Sequence, residues 1–62
     1  MQIWTRPYKD KLRTVFLIEE ESYVVIIEKK KNKNFFMLVT AFYIDDDNEM
    51  DGFLDSYEMY KN

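Results

Sequence analysis

The chain has 62 residues, enough for one small domain, and 47% of them are hydrophobic, so it is expected to fold around a core. It contains neither cysteine nor histidine, which excludes disulfides, thiolate metal sites and histidine-based acid–base catalysis. The net charge of −3 is unevenly distributed, because residues 1–44 hold eight basic and five acidic side chains whereas residues 45–62 hold one and seven. We expect a cytoplasmic protein without a membrane segment, metal or cofactor.

The N-terminal half reads as strands. Residues 2–6 are compatible with a short edge strand bordered by Pro7, which lacks an amide donor. Residues 12–19 and 22–29 are rich in β-branched and aromatic side chains and predict two strands. If Glu20 and Glu21 form the turn between them, Val15 lies opposite Ile26 and Arg13 lies opposite Glu28. A longer, looser loop is the alternative.

The most apolar stretch spans residues 35–44, in which Thr40 is the one polar side chain. Such a run predicts a strand that is buried on both faces. Before it, Lys29-Lys30-Lys31-Asn32-Lys33 forms a basic turn, which is interpreted as a solvated hairpin tip or as a phosphate contact. Short connections predict an antiparallel meander.

The acidic segment predicts a helix over residues 48–60, with N-cap candidates among residues 45–48. Its apolar residues recur at helical spacing. The alternative is a calcium loop, because acidic side chains and Gly52 match the spacing of an EF-hand. The carboxylates concerned are those of Asp47, Glu49, Asp51, Asp55 and Glu58. A preceding strand in place of a helix favours the capped helix.

The predicted fold class is therefore α+β, with a three- to four-stranded antiparallel meander sheet followed by one C-terminal amphipathic helix. We expect this helix to cover the sheet face that carries Phe16, Val25 and Tyr43. The opposite face would then remain apolar and uncovered, which predicts a homodimer interface or a partner site. Its residues are Val15, Leu17, Val24, Ile26, Phe36, Leu38 and Phe42.

A histidine-free phosphodiester site is a further hypothesis. Arg6 and Arg13 would bind phosphate, with Lys11 as a further cation, and Thr40 or Tyr43 would position an attacking hydroxyl. The alternative is structural, with Arg13 paired to a strand neighbour and Tyr43 in the core.

Several stretches resemble the C-terminal half of nuclease domains of the barnase–EndoU–colicin–RelE type found in phages. They are the Tyr-Val-Val strand from Tyr23, the strand Leu38-Val39-Thr40-Ala41-Phe42-Tyr43, which is similar to a Leu-x-Thr-Ala-Tyr pattern, the closing helix rich in Lys, Glu and Tyr, and the Trp-x-Arg-Pro stretch from Trp4. The resemblance implies a phage or mobile-element origin and metal-independent ribonuclease residues at Arg6, Arg13, Thr40 and Tyr43. It also implies N-terminal helices that this chain does not include, and some members have a histidine where this chain has Tyr8.

Two functions from different classes follow as hypotheses. The first is stoichiometric, non-catalytic binding to a host or defence protein with a basic surface, in which the helix carboxylates imitate nucleic acid and inhibit that protein. The second is a toxin-like, metal-independent ribonuclease that binds nucleic acid. A bare dimerisation module is a third interpretation.

Overall fold

The computed structural model describes residues 1–30 and 34–61. Four antiparallel strands stand in the sheet in chain order, and a helix follows them. The strands are β1 (Gln2–Tyr8), β2 (Lys11–Ile18), β3 (Tyr23–Lys30) and β4 (Met37–Tyr43), and the helix is α1 (Asp47–Tyr60). The predicted α+β meander with a C-terminal helix is therefore confirmed. The proposed basic turn includes residues 31–33, which lie outside the described residues.

The β2–β3 hairpin has the predicted register, with Arg13 opposite Glu28 and Val15 opposite Ile26. Its connection is a single 3-10 turn, Glu19–Glu21. Ser22 then takes a left-handed conformation with a φ of 51°, and its N–H donates to the Glu19 carbonyl over 3.1 Å. This bond closes the turn without the glycine or asparagine that tight hairpins usually need.

The helix begins at the acidic run. Asp46 is extended, and its side chain accepts a hydrogen bond of 2.9 Å from the N–H of Asn48, which satisfies one of the unpaired donors of the first turn. Asp47 and Glu49 add negative charge at the positive end of the helix dipole. The helix prediction is confirmed, so the carboxylates that match an EF-hand loop lie along a helix.

The core lies between α1 and one sheet face. Trp4 packs edge-on against Tyr57, with ring centroids 5.5 Å apart, and its Nε1 donates to Ser56 Oγ over 3.0 Å. Burying one large apolar side chain contributes about 1.5–3 kcal/mol, so the few buried side chains of this core contribute much of the stability of the fold. The buried apolar residues are Trp4, Val15, Leu17, Val24 and Ile44.

The prediction that residues 35–44 form a strand buried on both faces is wrong. β4 is an edge strand, since the sheet follows chain order and β4 is last. Leu38 is 69% exposed and Tyr43 is 72% exposed, whereas Ile44, just beyond the strand, is buried. An apolar run of this length does not distinguish a central strand from an edge strand whose outer face is left open.

The assignment of the two sheet faces is also wrong. Of the residues predicted to form a dimer interface, Val15, Leu17 and Val24 lie in the core beneath the helix, and Ile26 and Phe42 pack against it. The reason is the position of Trp4, which lies opposite Val15 and therefore projects from the same face. Its contacts with Tyr57 and Ser56 hold the helix on that face. Leu38 changes face relative to Phe42, because a register shift at Ile26 and Ile27 leaves Val39 without a partner.

Candidate functional site

Arg6 and Arg13 are brought together by the β1–β2 hairpin, where they are directly opposed. Opposed residues of an antiparallel pair project from the same face with their Cβ atoms about 5 Å apart, so two positive charges lie side by side. Each guanidinium lies over a tyrosine ring. Arg13 Cζ is 3.8 Å from the centroid of Tyr8, and Arg6 Cζ is 5.6 Å from that of Tyr60.

The two arginines differ in their counter-ions. Arg13 Nε donates to Glu28 Oε1 over 2.8 Å, and Lys11 Nζ lies 3.5 Å from the other oxygen of the same carboxylate. The hydrogen bond from Arg13 lowers the pKa of Glu28, and the charge of Lys11 adds to the effect. Glu28 is 8% exposed. Its carboxylate already forms ion pairs with two cations, Arg13 and Lys11. Arg6 has no ion pair among the described residues, and its Nε is buried without a hydrogen-bond acceptor.

A cavity of about 200 Å³ lies beside these arginines, between the sheet and the helix. The guanidinium groups and the Ser56 hydroxyl form its polar wall, and aromatic and aliphatic side chains form the rest. The lining residues are Trp4, Arg6, Tyr8, Arg13, Val15, Ile26, Phe53 and Ser56. The sequence does not indicate that Tyr8 and Ser56 belong to this site, because their positions depend on the β1 register and on where the helix lies.

Thr40 and Tyr43 do not join this arginine pair. Thr40 lies on β4, opposite Ile26 of β3, and is therefore two strands away from Arg13 on β2. Tyr43 is opposite Tyr23, and alternation along β3 puts this pair on the face away from the helix. There the two rings meet edge-to-face at 4.7 Å. The four residues predicted from the nuclease resemblance therefore do not form one centre.

The exposed surface of α1 carries an acidic stripe of four carboxylates. At about 100° per residue they fall within roughly 80° of arc on the helix, whereas Glu49 lies on another side. Of these four carboxylates, only that of Glu58 has an ion pair among the described residues, with Lys61 Nζ at 3.0 Å. The four are Asp47, Asp51, Asp55 and Glu58.

The sheet face away from the helix, here called the open face, is not covered by any described element. Cross-strand pairing places Phe16 opposite Val25 and Ile27 opposite Leu38 on this face. Thr5 and Thr14 satisfy each other through a hydroxyl contact of 3.0 Å. The remaining open-face side chains of the four strands are predominantly apolar, and include Ile3, Leu12, Ile18, Tyr23, Ala41 and Tyr43.

Comparison with known proteins found no matching family, no matching curated protein and no matching solved structure. No helix among residues 1–30 and 34–61 has the length and apolar character needed to cross a membrane. The same residues contain no cluster of three or more acidic side chains arranged to hold a metal ion. The features of the molecule that bear on its function are the arginine pair, the acidic stripe and the open face.

Proposed function

We propose that this protein acts by stoichiometric protein binding as a homodimer, in which two open faces pack together and two acidic stripes point outward. The observation that carries the proposal is the open face. One side of the sheet is filled by the helix, while the other presents aromatic and aliphatic side chains to solvent. Contiguous apolar surfaces of this size usually mark an interaction site.

The size of the open face supports a second copy as its occupant. Four strands of seven or eight residues cover roughly 450 Å² in projection, taking about 4.8 Å between strands and about 3.3 Å per residue. A two-fold pair would therefore bury roughly 900 Å² in projection, and side-chain relief adds to this area, so the total is close to the lower limit of about 1,000 Å² for a biological interface. Two sheets packed in this way form a sandwich about 10 Å thick between backbones.

The chemistry of the open face also suits self-association. Its central pairs, Phe16 with Val25 and Ile27 with Leu38, carry no charge. A two-fold axis through this region would bring apolar groups against apolar groups, whereas the acidic helices would remain on the two outer surfaces, where they do not repel each other at close range.

The acidic stripe supports a basic protein surface as the target of the dimer. Asp47, Asp51 and Asp55 have no cationic partner among the described residues, so the stripe carries a net negative field. Such a row of carboxylates is complementary to a groove that binds a phosphate backbone. We infer that the target is a nucleic-acid-binding protein, which the dimer would inhibit by occupying that groove.

Light scattering tests the assembly. Wild-type protein at tens of micromolar should give twice the mass of the 7.7 kDa chain. Val25→Lys places a charge at the centre of the open face and should give the mass of one chain. Met59→Lys adds the same charge on the exposed helix surface, where Met59 is 74% exposed, and should remain dimeric.

A folded wild-type protein that scatters as a monomer would overturn the homodimer. The far-ultraviolet circular dichroism of each variant checks that folding is retained. The target is tested separately, by comparing proteins retained on immobilised wild type with those on a stripe variant carrying Asp47→Asn, Asp51→Asn and Asp55→Asn. We expect a basic protein to be retained by wild type and not by the stripe variant. When that protein is purified, binding of wild type should release its DNA. Equal retention by both would contradict the role of the stripe.

A further inference from the structure

We propose that the cavity beside Arg6 and Arg13 binds a phosphate monoester carried on a small aromatic ring. This inference concerns the helix side of the sheet and is independent of the dimer, which uses the opposite side. It rests on charge, on an unpaired buried nitrogen and on the composition of the cavity wall.

The charge around the cavity is unbalanced. Arg13 and Lys11 share one carboxylate, Glu28, and Arg6 has no ion pair among the described residues. These four groups therefore carry a net charge of +2 within a protein whose net charge is −3. Like charges directly opposed across a strand pair are unfavourable unless an anion lies between them. A phosphate monoester carries about −1.5 to −2 at neutral pH and matches this charge better than a carboxylate does.

Arg6 supplies the second observation. Its Nε is buried and has no acceptor, although a charged donor removed from water is normally hydrogen-bonded. Arg13 is instead anchored through its Nε to Glu28, which leaves the remaining guanidinium N–H groups of both arginines as donors near the cavity. Arginine forks suit the planar, bidentate recognition of phosphate oxygens.

The remainder of the wall specifies what carries the phosphate. Trp4, Tyr8 and Phe53 contribute aromatic surface, and Val15 and Ile26 close the floor. The cavity volume of about 200 Å³ lies below the roughly 300–1,000 Å³ of pockets that bind drug-sized ligands, which limits the ligand to about one ring with its phosphate. Phenyl phosphate is therefore a suitable minimal probe.

Glu49 provides an internal competitor for the ligand. It lines a neighbouring cavity together with Arg6, Gly52 and Phe53, yet it lies beyond ion-pair distance of Arg6. Its negative charge opposes a second anion near the same guanidinium. Removing this charge should strengthen binding of the phosphate.

Trp4 is the single tryptophan of the chain and lines the cavity, so its fluorescence reports on occupancy. It is excited at the long-wavelength edge of its absorption during titration with phenyl phosphate, inorganic phosphate or benzoate at constant ionic strength. We expect a saturable change with phenyl phosphate, at a dissociation constant about tenfold below those of the other two anions. Inorganic phosphate lacks the ring that contacts the aromatic wall, and benzoate lacks the phosphate that contacts the arginines.

Three variants decide the interpretation. Arg6→Gln should weaken phenyl phosphate binding about tenfold or more, and Glu49→Gln should strengthen it. Lys30→Gln removes an exposed charge at the end of β3 and should leave the binding unchanged. An unresponsive Trp4, equal binding by Arg6→Gln, or equal binding of inorganic phosphate and phenyl phosphate would overturn the proposal. Should Arg6→Gln not fold, weaker or unchanged binding by Glu49→Gln would also refute it.

Discussion

Arg13 and Glu28 face each other across the central hairpin, and a hydrogen bond of 2.8 Å joins Arg13 Nε to Glu28 Oε1 on the side of the sheet that holds the core. The pair favours the observed register of β2 and β3, because a slip of one residue would put the two charges on opposite faces of the sheet. It also makes folding sensitive to acid.

The first prediction concerns this acid sensitivity. The hydrogen bond from Arg13 lowers the pKa of Glu28 below its ordinary value of 4.5, so the carboxylate contributes stability that is fully present above that value. This contribution is lost as the pH falls through the lowered pKa of the folded state. The melting temperature of wild type should therefore drop more steeply below pH 4.5 than that of Glu28→Gln. Glu20→Gln, in the exposed turn, is the control and should follow the wild-type curve. Parallel curves for wild type and Glu28→Gln would contradict the pairing.

The hydrogen bond between Trp4 and Ser56 gives the second prediction. Ser56→Ala leaves the buried indole N–H without an acceptor and should lower the free energy of unfolding by about 1–3 kcal/mol. Thr5→Ala removes a hydroxyl from an exposed contact with Thr14 and should cost less than about 0.5 kcal/mol. Urea denaturation monitored by circular dichroism measures both. Equal losses in the two variants would mean that the indole finds water when Ser56 is truncated.

The helix cap gives the third prediction. Asp46→Ala removes the side chain that accepts from the N–H of Asn48, and should lower the free energy of unfolding by about 0.5–2 kcal/mol. Asp45→Ala removes the same charge one residue earlier, where no hydrogen bond is made by its side chain among the described residues. The difference between the two variants in urea therefore isolates the cap from the general charge effect. If Asp45→Ala proved as damaging as Asp46→Ala, the cap would not be responsible.

Gly52 gives the fourth prediction. It lies in an exposed part of α1, and a Cβ at this position would meet no atom within 4 Å. Gly52→Ala should therefore stabilise the protein by about 0.5–1 kcal/mol, since alanine loses less backbone entropy in a helix. Met59→Ala, also exposed and helical, should change stability by less than about 0.5 kcal/mol. A loss of stability in Gly52→Ala would contradict this prediction, because it would mean that an added methyl group at this position meets another part of the protein or a second copy in solution.

The parts of the fold that depend on neighbouring residues could be predicted from the sequence. Alternation along β2 and β3, with a turn centred on Glu20 and Glu21, predicts the pairing of Arg13 with Glu28, and the acidic run predicts where the helix begins. The parts that failed depend on relations across the molecule. The β4 bulge that turns Leu38 toward the open face has no sequence signal, and neither does the choice of face by the helix.

The candidate site shows the same division. Arg6 and Arg13 are recognisable as anion ligands by residue type, but their apposition requires a two-residue turn in which Lys9 takes a φ of 58°. Lysine rarely adopts this conformation, so the sequence gives little indication of a tight hairpin there. Tyr8 and Ser56 enter the site only once β1 and α1 are in place.

The contact between Trp4 and Ser56 joins residues 52 positions apart, whereas each strand of the described part of the chain pairs only with its neighbours in sequence order. The hairpins can therefore form early and quickly, because little chain must be ordered to close each one. Closure of the core must wait for the last fourteen-residue element, the helix. During synthesis the sheet would have both of its apolar sides open until that helix is made. The interval before it docks is when the nascent chain is most exposed to misassembly or to capture by chaperones.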